Sequence, residues 1–396
     1  MPGTGSAPDG DEDAILGMIM AIRAVEDDSS KPSWFEEVYD WADASSTSFM
    51  LHNTKLSNTG QNRILKLGSC WGGWESDGNN PSYHSPGSWR LFRDFQDSVV
   101  DRKYSIPSLG GSNDLYEEWT KLIETSYDFL DVVQCDNIGV VPNWALVTET
   151  GDGSIAGYPG SFSGSGTPQY EFGAEASRTV WRTLLDAALY PNDAFEPVEN
   201  FLTPLHGRLD ENFMNNNWPD NTLVPCDGVT TIFGGWRYNA FMYAPVYSSL
   251  VLEASGVATS RQQEMIDAAG SLVNVIPGGT SYYSRCWAII GIITLNGDLA
   301  RAGLVATGSN PSPVAPSTSS PTSSPSVMPS ADTCSSITTK KKCNRTNGCS
   351  WFKKDEECSA ALSADECAAF DGKATRCKKF GCKWDKTTKE CNGRWD

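Results

Sequence analysis

The chain is 396 residues long, too long for one typical domain, and carries a formal net charge of −18. That charge is uneven, +4 over residues 331–396 and −22 over the remainder. A surface so acidic repels phosphate backbones and anionic headgroups, which argues against nucleic-acid and membrane-surface partners, and no apolar run is long enough to span a bilayer.

Residues 1–306 are predicted to form one mainly helical unit. It opens on SAPDGDEDAILGMIMAIRA (6–24), where Asp9, Asp11, Glu12 and Asp13 run into a tightly apolar segment. Carboxylates at a helix start accept orphan N–H groups and favour the positive end of the macrodipole. The competing reading gives one of these carboxylates to an active site. Helices are expected near 14–27, 32–50, 85–103, 113–133, 169–190, 195–206, 238–255, 259–274 and 281–295. Apolar residues recur there at three and four positions, as at Val180, Leu184 and Ala187. The intervening stretches 72–81, 150–168 and 208–235 are rich in Gly, Asn, Ser and Pro and read as loops too polar for strands of a buried sheet. Long loops at one end of a helical scaffold are where binding groups usually sit.

Residues 307–330 read as a linker. Pro, Ser and Thr fill 18 of these 24 positions, a composition that favours extended backbone and cannot bury a core. Beyond it lies a duplication. Cys334, Cys343, Cys349 and Cys358 are echoed by Cys367, Cys377, Cys382 and Cys391, and GCSWFKKDEEC matches GCKWDKTTKEC. The pattern predicts a disulfide framework closed separately within each copy. The CxxC or CxxH pairs that zinc usually needs are absent. Trp351 and Trp384 hold the same place in both copies. They suit a tiny core first and sugar stacking second.

Such a framework, with the sequon at Asn344, implies an oxidising, extracellular setting. The first residues, MPGTGSAPDGDED, hold neither a basic region nor an apolar core of a secretory signal. The expectation is a secreted protein whose N-terminal part is missing from this sequence.

With only His52, His84 and His206 present, no Ser-His-Asp or metal-ligand spacing emerges, and neither metal nor cofactor is expected. What remains is carboxylates among many aromatics, fourteen Trp and thirteen Tyr, the kit of glycosidic hydrolysis. Four segments carry a resemblance: APDGDEDAILGMIMA; LKLGSCWGGW with NPSYHSPGSWRLFRDF; YEFGAEASRTVWR; and SYYSRCWAIIGIITLNGD. In that order they resemble glycoside hydrolase family 8, inverting glucanases, xylanases and chitosanases on an (α/α)6 barrel. The opening resembles the family signature A-S/T-D-G-D-x-D/E, with Pro8 where Ser or Thr is usual. GVVPNW (139–144) resembles the family's GLVPDW.

The resemblance implies an all-α (α/α)6 barrel, incomplete at its N-terminus, followed by small disulfide-rich repeats. Asp9 would steady the distorted sugar at the cleavage point, leaving Asp11, Glu12 and Asp13 to cap the helix. Glu175 falls where the family has its general-base Asp, one methylene longer, and Arg178 falls on the family's Arg. Trp71, Tyr83, Trp144, Tyr282 and Tyr283 match aromatic positions near the cleft, implying substrate contacts together with Arg178. The family's general acid sits in an S-E-G-x-G-Y/M segment upstream of the signature, and only eight residues precede Asp9. The chain as it stands is therefore expected to be inactive and monomeric, its full form cleaving a β-1,4-linked polysaccharide. β-Glucan is the default substrate, with xylan or chitosan as alternatives. The competing reading is a secreted, non-catalytic carbohydrate-binding or wall-associated protein.

Overall fold

The computed structural model describes residues 7–75, 78–110, 114–135, 139–160, 172–215, 240–252, 259–274 and 282–307, and the backbone of four short strands in the tail. The chain divides into two compact units, 1–311 and 312–396.

The first unit is mostly helical. Its helices are α1 (Pro8–Arg23), α2 (Phe35–His52), α3 (Pro86–Asp97), α4 (Leu115–Val133), α5 (Ser177–Leu189), α6 (Phe195–Met214), α7 (Ala240–Ser248), α8 (Thr259–Asn274), α9 (Tyr282–Leu295) and α10 (Asp298–Ala306). α1 packs on α2 and α3, α3 on α4 and α5, α5 on α7, and α7 on α9. The centre is aromatic: Phe49 of α2, Trp89, Phe92 and Phe95 of α3, and Trp119 and Phe129 of α4 are all fully or almost fully buried. In α3 these rings recur every third residue, which holds one face on the core and turns Arg90 toward α5 and Arg93 onto the Tyr116 ring of α4. Where α3 crosses α5, a Cβ on Gly87 would stand 2.7 Å from the backbone N and Cα of Asp186. Only glycine permits that approach. Arg90 Nε donates to the buried Asp186 at 3.0 Å, and the Tyr127 hydroxyl of α4 donates to the same carboxylate at 2.6 Å.

Two antiparallel hairpins correct the strandless expectation: β1 (Thr54–Leu56) with β2 (Arg63–Leu65), and β3 (Ala145–Glu149) with β4 (Ile155–Pro159). The second lies partly in a stretch read as loop. Its turn is closed by Asp152, whose Oδ1 accepts from Thr150 Oγ1 and from the Ser154 N–H at 3.1 Å. Gly157 lets β4 lie flat on α4, since a Cβ there would stand 2.5 Å from Val133 and 2.6 Å from Val132. Period-two patterning is hidden in five-residue strands that pack on a helix rather than in a wide sheet. Beneath the first hairpin, Arg63 is enclosed with all its reach used: Glu118 at 2.7 Å, Thr54 Oγ1 at 2.8 Å and the Leu109 carbonyl at 2.7 Å.

Helix bounds differ from the sequence reading at instructive places. α1 begins at Pro8 rather than residue 14, because Pro at the first helical position needs no N–H partner. The expected 238–255 helix is α7 followed by a 3-10 turn, Ser249–Val251. Among the described residues no helix is long and apolar enough to cross a membrane.

In the second unit, β5 (Cys349–Phe352) pairs with β6 (Glu357–Ala360), and β7 (Lys383–Trp384) with β8 (Cys391–Asn392). Trp351 pairs with Cys358 and Trp384 with Cys391, so both copies of the duplication form the same hairpin in the same register. The cysteine pairings of the tail, the sequon and residues 308–330 of the linker lie outside the described residues. Within the first unit Cys135 is disulfide-bonded, whereas Cys70 and Cys286 are free thiols.

Candidate active site

α1, α3 and α5 all bring their N-terminal ends to one place. Asp9 enters on the first turn of α1. A 3-10 turn, Pro81–Tyr83, precedes α3, and its cap Asn80 accepts the Ser82 N–H at 2.9 Å. The turn 174–176 leads into α5. Asn143, from the GVVPNW segment, fixes that turn by accepting from the N–H groups of Gly173 and Ala176, each at 3.0 Å. The Ser177 hydroxyl donates to the Phe241 carbonyl at 3.0 Å and ties the start of α5 to α7.

Arg178 is the hub. Its Nη1 donates to Asp9 Oδ2 at 2.6 Å, and its Nη2 donates to Ser82 Oγ at 3.0 Å and to Glu175 Oε2. Asn80 Nδ2 donates to the same Glu175 oxygen at 3.1 Å, while the Ser82 hydroxyl donates back to Asn80 Oδ1 at 2.8 Å. Asn80, Ser82, Arg178 and Glu175 thus form a closed hydrogen-bonded circuit, with Asp9 attached through Arg178. The guanidinium carbon lies 5.6 Å from the centre of the Tyr83 ring. Burial opposes the charge on Arg178, but Glu175, Tyr283 and Asp9 outweigh it and raise its pKa. Burial first, then the charges of Asp9 and Glu175, push the Tyr83 phenol up to about 12, so it stays protonated at neutral pH. The Glu175 side chain is 39% exposed against 18% for Asp9. The more open carboxylate is the one that can receive a water.

One helical turn deeper the pattern repeats. Arg182 of α5 pairs with Glu12 at 2.7 Å and with both oxygens of Asp13 at 3.0 and 3.1 Å. Glu12 has no exposed surface, and its Oε2 accepts from Trp89 Nε1 at 3.0 Å. Burial pushes this carboxyl well above the usual range, with Arg182 pulling the other way. Asp11 turns aside to accept from Asn53 Nδ2 at 3.0 Å. These three were expected to cap the helix, and none does: α1 has no side-chain cap bond. Because α1 starts at Pro8, its acids fall inside the first two turns, where the spacing of 9, 12 and 13 aims them at Arg178 and Arg182.

Of the aromatics singled out in the sequence, Tyr83 stands in the cluster and Tyr283 feels the charges of Arg178, Glu175 and Asp9. Trp144 is half-buried beside Asn143, Trp71 is 46% exposed on the turn at 68–71, and Tyr282 is 85% exposed. The circuit is built without these three. Asn80, Ser82 and Asn143 were not singled out, although Asn80 and Ser82 belong to the quoted NPSY and Asn143 to GVVPNW. His84 is structural: it bridges Ser126 and Asn79 at 2.8 Å each, and burial lowers its pKa to about 3.

No family model matches the chain. Endoglucanase 2 of Ruminiclostridium josui is 27% identical over 193 residues, 47% of this chain and 31% of that protein. Endoglucanase C of Ruminiclostridium cellulolyticum is 25% identical over the same length and shares. The match thus spans about a third of the length of these curated relatives. The structure superposes on that of Rex8A from Paenibacillus barcinonensis, solved in complex with xylose, with a TM-score of 0.50. That superposition covers 74% of this chain and 67% of Rex8A at 15% identity, a likeness of fold alone. The chain is thus similar in sequence to two endoglucanases and shares its fold with Rex8A.

Proposed function

We propose that the first unit is the catalytic domain of a secreted, inverting glycoside hydrolase built on the (α/α)6 plan and acting within a β-1,4-linked polysaccharide, β-glucan by default and xylan or chitosan as alternatives. The observation that carries this reading is one guanidinium joining Asp9 and the solvent-open Glu175, on a chain similar to endoglucanases. Glu175 is the general base. Arg178 and Asn80 hold one of its oxygens, so the side chain stands ready to take a proton from a water approaching the anomeric carbon. Asp9 lies beside it and stabilises the positive charge that develops on the ring. Arg178, Tyr83 and Tyr283 shape the floor beneath the sugar, and Trp71, Trp144 and Tyr282 offer stacking surfaces along the chain of sugars.

Protonation of the leaving oxygen needs a further group. Glu12 is not that group, because it is sealed under Arg182 and Trp89 with no exposed surface.

The test separates base from acid. β-Cellobiosyl and β-xylobiosyl fluoride carry a leaving group that needs no proton, so the chain should hydrolyse them to the α-anomer, followed by proton NMR. Glu175→Gln should lose about 10²–10⁴-fold of that rate. On carboxymethyl-cellulose, xylan and chitosan, whose leaving oxygens need a proton, the rate relative to the fluorides measures how far general acid catalysis contributes. Oligosaccharide binding with no turnover of either fluoride would favour the non-catalytic carbohydrate-binding reading instead.

A further inference from the structure

A groove lies on the unit at the end remote from the Arg178 cluster. α1 runs away from the cluster, and α2 begins at its far end and runs back. The segment 99–104 follows the C-terminus of α3, about 18 Å along that helix from the 3-10 turn that holds Ser82. Between the second to fourth turns of α2 and this segment is a cavity of about 430 Å³ lined by Tyr39, Asp40, Trp41, Ser45, Lys103 and Tyr104. That volume falls within the range of small-molecule sites, ~300–1,000 Å³.

Three features define what it would take. Trp41 is 64% exposed at the groove's edge, and Ala44, Ser45 and Ser48 continue its helix face with small side chains that leave the ring's surroundings open. The charges are already matched in pairs: Lys103 with Asp40, and Arg102 with Asp43 through bonds of 2.9 and 3.0 Å. Asp101 adds a further negative charge. An anion meets three carboxylates against two cations here, which disfavours it. The carboxylate of Asp40 and the ammonium of Lys103 keep acceptor and donor positions beyond their mutual bond, both on the rim and partly exposed. An exposed aromatic ring, small neighbours and paired, unsaturated polar groups suit an uncharged polyhydroxyl ligand that stacks an apolar ring face and shares its hydroxyls.

We infer that this groove is a second saccharide-binding site, holding a neutral β-linked oligosaccharide on Trp41 away from the cleavage point. The inference rests on the polysaccharide reading above. Its role would be to keep the polymer on the surface between cleavage events.

Hydroxyl-radical footprinting of the full chain with cellohexaose or xylohexaose tests it, with Trp34, 39% exposed, as the internal control. Saturating oligosaccharide should lower the oxidation rate of Trp41 by about threefold, as burial of most of a ligand's contact surface requires, and leave Trp34 unchanged. Ser45→Arg, which fills the groove, should abolish the protection of Trp41 while Tyr283 at the cleft stays protected. Protection of Tyr283 without Trp41, or protection of Trp41 that survives Ser45→Arg, would overturn the groove and leave the cleft reading standing. Protection of neither residue would overturn both.

Discussion

Arg178 and Asp9 stand 169 positions apart in sequence, yet the guanidinium bridges Asp9 and Glu175 while also holding Ser82. Lysine carries the charge, but its three N–H donors sit on one nitrogen and cannot span three acceptors held in the directions of a planar fork. Arg178→Lys should therefore lower kcat on β-cellobiosyl fluoride by about 10²-fold or more with little loss of stability, since misplacing a reacting group by about 1 Å costs that much. Melting temperatures measured beside the kinetics separate the two effects. The buried histidines make a different prediction. Burial lowers His84 to about 3 and His206 to about 4, against an ordinary 6.5. Below pH 6.5 the unfolded chain takes up protons that the folded chain refuses. The stability these two residues contribute is thus complete above about pH 6.5 and is lost as pH falls toward 4 and then 3. The slope is about 1.4 kcal/mol per pH unit for each histidine. Urea titrations between pH 5 and 6 should show His206→Asn flattening the dependence by one proton. At this scale the sequence pointed to the residues that meet, Asp9, Glu175, Arg178 and Tyr83, because their motifs are local. It did not reveal what Glu12 and Asp13 do, because their partner Arg182 lies 169 positions beyond Asp13 and nothing local announces it.

The helices that carry the cluster are set by close crossings. Gly87→Ala places a methyl against the backbone of Asp186, which cannot yield as a flexible side chain would. α3 must then move off α5, lengthening the Arg90–Asp186 bond and shifting the 3-10 turn that presents Ser82. The expected result is a loss of about 1–3 kcal/mol in stability, typical of an overpacked core, together with a drop in kcat. A variant that loses stability while keeping full kcat would show that the crossing and the site are uncoupled. Element type was legible wherever apolar residues recur at three and four positions, as in α3 and α5. The hairpins were not, because β3 and β4 are five residues each and their turn chemistry, Asp152 with Gly153, sits among other loop-forming residues. α5 was expected to start near 169, but its start is fixed at Ser177 by Asn143, a tertiary contact invisible to periodicity.

For the molecule as a whole, composition separated an acidic helical unit from a basic cysteine-rich tail, and the chain divides between residues 311 and 312. In the tail the backbone repeats one hairpin register, Trp351 with Cys358 and Trp384 with Cys391, and we propose that each copy closes its own disulfides. Mass mapping of a non-reduced digest should then find bridges only within 334–358 and within 367–391, and any bridge between these copies refutes the scheme. Cysteine spacing gave no sign that Cys135 of the first unit is bonded. Reductant should accordingly lower the melting temperature of the first unit as well as that of the tail, since losing a native disulfide typically costs about 2–5 kcal/mol.

The two stacked arginines of α5 bear on how activity disappears under stress. Turning α1 by one residue, about 100°, would part Asp9 from Arg178 and Glu12 and Asp13 from Arg182 in the same movement. In the proposed function the upper rung faces the substrate, and the lower rung anchors the helix pair in the interior. The cleft therefore has no loosened but working form, and turnover serves as a gauge of the intact fold. In a urea series, turnover of β-cellobiosyl fluoride and helical circular dichroism should fall along one curve, with no concentration at which the helices persist and the rate has gone.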